Sequence, residues 1–439
     1  MNMNVLAALF VNAKDHFNHG SVSIRDGNYG RAIDDYTKAI SLKADYAEAY
    51  CNRGLAYSRI EDFENAIADC TQAIRLQADM AQAYYNRGGA YSRMRDYDLA
   101  IADFTRAIDL RHGDARAYNH RGLAYYGKGD KERAIEDYTQ SIRLNSDDAE
   151  PYCNRGFAYS RAGRYDKAIA DYTQAIKLKS DDARAYNHRG LAHYGKGDDE
   201  RAIADFTRAI VLKADYAEAY FNRGNAYIDQ GNEGRAMDDF NQAIRLNGGD
   251  CAWAYNNRGS VYADKGDYDR AIADYTRAIG MKRAYAQAYF NRGLANYRKG
   301  DFDGAIADYG QAIRFKSAYA QAYYHRGLAR HRQWDNERAI ADFDKAILLK
   351  GDYAEAYCNR GLAYSGMGNK ERAVADYNEA ILLKEDYADA YFNRALASYD
   401  AGDFKRAQVD LTEALLLDPN HANAWNILEK VKQRMNKEA

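Results

Sequence analysis

Amide and imidazole side chains recur in this sequence at one fixed interval. They stand at Asn52, Asn86, His120, Asn154, His188 and Asn222, 34 residues apart, and resume after one step of 35 at Asn257, Asn291, His325, Asn359 and Asn393. An amide presents a donor and an acceptor together. A row of them can hydrogen-bond the backbone of an extended peptide without reading its side chains. The competing reading is that each amide bonds an adjacent helix or faces water. Every member of the row is followed by arginine, from Arg53 to Arg394, and an aspartate recurs 16 residues after each arginine, from Asp69 to Asp410.

Other residues suited to chemistry do not assemble into a catalytic pattern. The nine histidines are spread along the repeat, and no HExxH, GxSxG or Walker sequence occurs. Cys51, Cys153 and Cys358 share one repeat position, and no basic partner at a fixed spacing marks Cys70 or Cys251 as activated. Carboxylates follow the period and read as solvated faces or structural pairs rather than acid–base couples. No catalytic residue, metal site or cofactor is expected.

These positions need elements to hold them. Aligning the Arg-Gly dipeptide gives twelve units of 34 residues from Ala13 to His421, with one extra residue in 217–251. One unit reads AEAYCNRGLAYSRIEDFENAIADCTQAIRLQADM (47–80). Its apolar residues are spaced by three and four, which predicts one helix over Ala47 to Arg59 and another over Phe63 to Leu76. A polar turn joins them. In the fourth unit Gly127 and Gly129 are placed to end the first helix. Small residues at unit positions 8, 20 and 27 let the helices approach, and tyrosines at 4 and 11 fill the space beside them. No single pair can bury its apolar face alone, so the units must stack. The 40 tyrosines follow from this pattern.

The pattern resembles the tetratricopeptide repeat (TPR) family, in the bacterial type whose arrays carry Asn-Arg-Gly. The resemblance covers about 93% of the chain. It implies an all-α right-handed superhelical solenoid of twelve helix-turn-helix repeats, closed by a C-terminal capping helix. Three departures stand out. The family proline at position 32 survives only as Pro419, the family leucine at position 7 is arginine in units two to twelve, and position 23 is aspartate throughout. A buried charge needs a partner, so Arg and Asp are expected to pair, within a unit or across a junction. The first unit has Asp35 but His19 in place of arginine.

By the same resemblance the first helices line a concave groove, with positions 2, 5, 6, 9, 12 and 13 facing it. The row at position 6 is similar to the asparagine ladder in the TPR arm of O-linked N-acetylglucosamine transferase. Its eleven members, Asn52 to Asn393, are the candidate peptide-binding residues. No unit has the position-5 lysine of a chaperone-type carboxylate clamp, and the groove charges nearly balance. The expected function is a non-catalytic scaffold holding a peptide or partner protein in the groove. The alternatives are a non-catalytic arm of a larger enzyme assembly, such as a glycosyltransferase, and an RNA-binding helical repeat. A formal net charge of −2 argues against nucleic acid. No run of about 18 apolar residues points to a membrane span. Self-association is left open.

The expected organisation is an N-terminal segment at 1–12, units one to seven at 13–251, units eight to twelve at 252–421 and a capping helix at 422–439. Gly248-Gly249 is the candidate hinge. In the cap, Trp425 and Leu428 are expected to face inward. Five cysteines without a paired framework fit a reducing, cytoplasmic setting, and the short apolar stretch Val5 to Val11, with no basic residue before it, argues against export.

Overall fold

In ten of the twelve repeats the second helix begins at a capping side chain; at Asp96 and Arg164 no side chain makes that bond. In the computed structural model the backbone is described for residues 3–249 and 251–438, and side chains for 12–249 and 251–436. Among the described residues there are 25 helices and no strand. Asp62 accepts from the Asn65 N–H, and Asp130, Asp198, Asp267 and Asp403 cap the equivalent helices in the same way. Just before the cap, at repeat position 15, the backbone is left-handed in all twelve repeats. Nine of these residues are glycine, and Glu61, Arg95 and Trp334 hold φ of 64°, 67° and 63° without that freedom. Gly129 takes this role at φ 97°. Gly127 does not; it lies inside the helix Ala115–Lys128, where a β-carbon would come within 2.5 Å of the Tyr97 ring.

Glycine at position 8 has a packing cause. The ring at position 24 of the second helix crosses directly over it. A β-carbon on Gly190 would stand 2.7 Å from the Phe206 ring, and one on Gly361 2.6 Å from Tyr377. The twelfth repeat makes both changes together, with Ala395 against the ringless Leu411. Alanines at positions 20 and 27 complete a dry seam: Ala66, Ala73, Ala202 and Ala209 are almost fully buried.

Arginine at position 7 joins the layers. Arg53 Nε and Nη2 donate to the two oxygens of Asp69 at 2.7 and 2.8 Å. The same fork recurs from Arg87–Asp103 to Arg394–Asp410. Except at Arg326, where position 25 is Gly310, the remaining Nη1 reaches across the junction to position 25 of the preceding repeat, as from Arg53 to Thr37 and from Arg189 to Thr173. The pairing is therefore within the repeat, and the same guanidinium also crosses the junction. Each such ring-stacked guanidinium lies over the tyrosine at position 4 of its own helix, 5.5 Å from Tyr50 in the case of Arg53. In six of the inter-repeat loops that lack the family proline, a lysine at position 31 lies over the tyrosine at position 34, as Lys316 does over Tyr319 at 4.4 Å.

Contacts divide the chain into two compact bodies, residues 1–231 and 232–439. The dividing line falls inside the seventh repeat, between Ala217–Asp229 and Glu233–Leu246. In each body every second helix packs on the first helices beside it, and the first helices also touch one another from repeat to repeat. The first helices are thus the closely spaced inner layer. Each body is an all-α solenoid of helix pairs. In the N-terminal body the first helix is continuous from Met3 to Arg25, so residues 3–12 extend the first repeat. The loop with the extra residue has Gly248 and Gly249 at φ 60° and 85°, and Asp250 lies outside the described residues. In the C-terminal body the helix Ala422–Glu438 closes the core with Ala424, Leu428 and Val431. Trp425 is not inward as expected: it is 49% exposed and its Nε1 donates to the Pro419 carbonyl.

Candidate functional site

The position-6 side chains reach the inner layer but turn toward the preceding repeat. Asn154 Nδ2 donates to Asn119 Oδ1 at 3.0 Å, Asn222 to Asn187 at 3.0 Å and Asn291 to Asn256 at 3.1 Å. Asn86 and Asn393 donate to the sulfurs of Cys51 and Cys358, and Asn359 to the Tyr324 hydroxyl. In each case the acceptor is at position 5 of the repeat before. His120 Nδ1 meets the Tyr85 hydroxyl and the Arg116 carbonyl. His188 and His325 pack against rings instead, His188 on Phe157 and Tyr172, and His325 on Phe290, Tyr309 and Tyr324. Asn257 accepts from Asn256, and Asn52 is half-buried. Much of the row's hydrogen-bonding capacity thus joins first helix to first helix, the competing reading that the sequence left open.

Position 5 is correspondingly removed from solvent. Cys51, Asn119, Asn187, Asn256, Phe290 and Cys358 are buried. Burial pushes the Cys51 and Cys153 thiols up to about 12 and Cys358 up to about 11, which leaves them protonated at neutral pH. All five cysteines are free thiols. Among the described residues no three His, Cys, Asp or Glu side chains cluster closely enough to hold a metal ion, and no helix is long and apolar enough to cross a membrane.

Two members of the row, Asn154 and His188, line a cavity of about 740 Å³ on the inner layer of the N-terminal body. Its walls come from the first helices of repeats four, five and six: Ala115–Lys128, Ala149–Arg161 and Ala183–Gly195. Each contributes one ring. Tyr126, Phe157 and His188 follow one another with centroids 5.5 and 5.6 Å apart. Phe157 is the one aromatic residue at position 9, where leucine is common, and it is 40% exposed. Leu123, Cys153 and Leu178 add apolar wall. Burial, with Arg184 as a lesser cause, lowers the His188 pKa, so the ring is a neutral imidazole at neutral pH.

The rim is charged and ordered. Asp148 and Asp182 accept from the backbone N–H groups of Glu150 and Arg184 and so cap their helices. Glu150 takes one bond from Asn119 Nδ2 at 3.2 Å and is otherwise exposed. Lys179, at the end of the same repeat, and Arg184, on the next one, are exposed. Position 2 therefore alternates along this face: Arg116, Glu150, Arg184, Glu218. Position 6 was singled out from the sequence, whereas the cavity depends on position 9. The lone aromatic at that position was the available signal.

No curated protein matches this sequence. Similar solved structures include the Cut9–Hcn1 hetero-tetramer of the APC/C, at 16% identity and TM-score 0.47 over 96% of this chain and 90% of that one. Yeast Tom70 is 17% identical with TM-score 0.40 over 97% and 96%. YrrB, titled a TPR protein with an unusual peptide-binding site, is 23% identical with TM-score 0.37 over 42% and 95%. Models of the TPR repeat and tetratricopeptide repeat match 20–61, 47–80, 79–147, 137–170, 161–197, 192–231 and 217–250, then 256–320, 320–353, 354–387 and 388–421. Matched from 20 to 250 and from 256 to 421, and built of helix pairs at every repeat, the chain belongs to the tetratricopeptide repeat family.

Proposed function

We propose that this protein is a non-catalytic interaction scaffold that holds an extended peptide segment of a partner protein on the inner face of its N-terminal body. The cavity between repeats four and six takes a large apolar side chain of that segment. The observation that carries this reading is the exposed Phe157 in a ring series spanning three repeats, lining a cavity of about 740 Å³. Covering such a ring removes apolar area from water, worth roughly 25 cal/mol per Å² before the cost of ordering the peptide. Asn154 Oδ1 and the neutral His188 ring supply polar contacts at the same wall. Glu150 on one side and Arg184 on the other favour a basic residue before the apolar anchor and an acidic residue after it, or the reverse order in the opposite chain direction.

The test is a selection of twelve-residue peptides on the immobilised chain, followed by fluorescence anisotropy with the winners. Phe157→Ser is expected to weaken binding about tenfold or more, as loss of a central aromatic anchor does. Asn154→Ala should weaken it less, and Asn291→Ala, in the C-terminal body, should leave it unchanged. Equal affinity across all three variants would place the binding surface elsewhere.

A further inference from the structure

The first repeat breaks the Arg–Asp rule in a way that leaves a prepared site. In the repeats that follow, the buried aspartate at position 23 receives a two-pronged guanidinium from position 7, and the tyrosine at position 4 covers that guanidinium. The first repeat keeps the aspartate. Asp35 is 8% exposed, as buried as its equivalents Asp69 and Asp103. Yet position 7 is the exposed His19, and position 4 is His16. Asp35 Oδ2 and His16 Nδ1 are both buried without a hydrogen-bond partner, and His16 Nδ1 stands 4.0 Å from Asp35 Oδ1, beyond bonding distance. A buried acceptor left unbonded is destabilising, more so when charged.

The other end of the array shows that the mismatch has an apolar solution. In the last described helix, Ala422–Glu438, Leu428 stands in the arginine's place, buried. The N-terminal end keeps the charge instead. We propose that Asp35 is a guanidinium socket at the N-terminal end of the array, which takes an arginine side chain from outside the chain. The incoming guanidinium would make the fork that Arg53 makes with Asp69, both oxygens of Asp35 accepting. The His16 ring takes the place of the covering tyrosine. An ammonium cannot reproduce the two parallel bonds, so the site discriminates arginine from lysine. This inference is independent of the peptide cavity, which lies three repeats away in sequence.

The experiment follows the His16 and His19 ring signals by NMR in the full chain during titration with L-arginine, with L-lysine, and with an end-blocked Gly-Gly-Arg-Gly-Gly peptide. Arginine and the peptide are expected to shift the His16 signals saturably in the millimolar range, lysine at least about fivefold more weakly. Binding of the peptide but not of the free amino acid identifies a protein arginine as the natural source. Binding of both leaves the guanidinium chemistry intact for either source. Two variants control for folding. His19→Arg restores the repeat's own arginine; it should abolish the response and raise the melting temperature by about 2 °C or more. Asp35→Asn should lose the response without gaining stability from arginine. Equal shifts from lysine, a response that survives His19→Arg, or no saturation would each overturn the proposal.

Discussion

At the scale of single residues, the charges at positions 7 and 23 are held by one another. Arg189 lies between Asp205 and Thr173, and its aspartate is buried. Removing one partner strands the other. Arg189→Met is therefore expected to lower unfolding free energy by about 3 kcal/mol, and adding Asp205→Leu should recover a large part of that loss. A double-mutant cycle on urea unfolding measures it; purely additive losses would show that the pair is not coupled. His325 gives a second expectation. Burial, aided by Arg298, lowers its pKa from 6.5 to about 4. Between those values the unfolded chain binds a proton that the folded chain refuses. Stability is full above pH 6.5 and is lost as pH falls toward 4. Unfolding midpoints at pH 7.5 and 5 should differ by less in His325→Asn than in the parent, since asparagine stands at the same position in most other repeats.

At the scale of elements, the helix–turn–helix is set by the left-handed residue at position 15. Three repeats place a side chain there. Trp334 is 81% exposed, so little packing is lost on removing it. Trp334→Gly should stabilise its repeat by about 1 kcal/mol by releasing backbone strain, read as a higher thermal midpoint. The reverse holds at position 8. Gly190→Ala would force a β-carbon to within 2.7 Å of the Phe206 ring and should cost about 1–3 kcal/mol. The companion change Phe206→Leu, which imitates Ala395 with Leu411, should restore part of it.

At the scale of the whole molecule, each repeat touches chiefly its neighbours, so stability is a sum of local terms. Gly190→Ala should speed amide hydrogen exchange in repeats five to seven and leave residues 286–421 unchanged. Faster exchange throughout would instead show a single cooperative unit. Leu348, Leu382 and Leu416 stand at one position on three successive second helices and are 72–73% exposed. Most other repeats carry a charged residue there, as at Arg75 and Lys177. Replacing the three leucines by lysine should change unfolding free energy by no more than about 0.5 kcal/mol each.

The period, the helix pairs, the small-residue seam and the Arg–Asp complementarity were all legible in the sequence, because each is a local pattern copied eleven or twelve times. Asp69 and Arg53 announce a partner by being charged at positions that pack. Which partner was left open, and the structure answered that one guanidinium serves both its own repeat and the one before. The sequence equally showed that Asn154 and His188 belong to one row. It could not show that the row spends its bonds on position 5 of the preceding repeat, because hydrogen-bond partners 35 residues apart follow from how one helix leans on the next. Phe157 was visible as a letter, but its exposure in a cavity depends on Tyr126 and His188 arriving beside it from two other repeats. Repetition determines the fold from local preferences alone; the places where a repeat departs from its neighbours acquire meaning only once tertiary packing shows what stands opposite them.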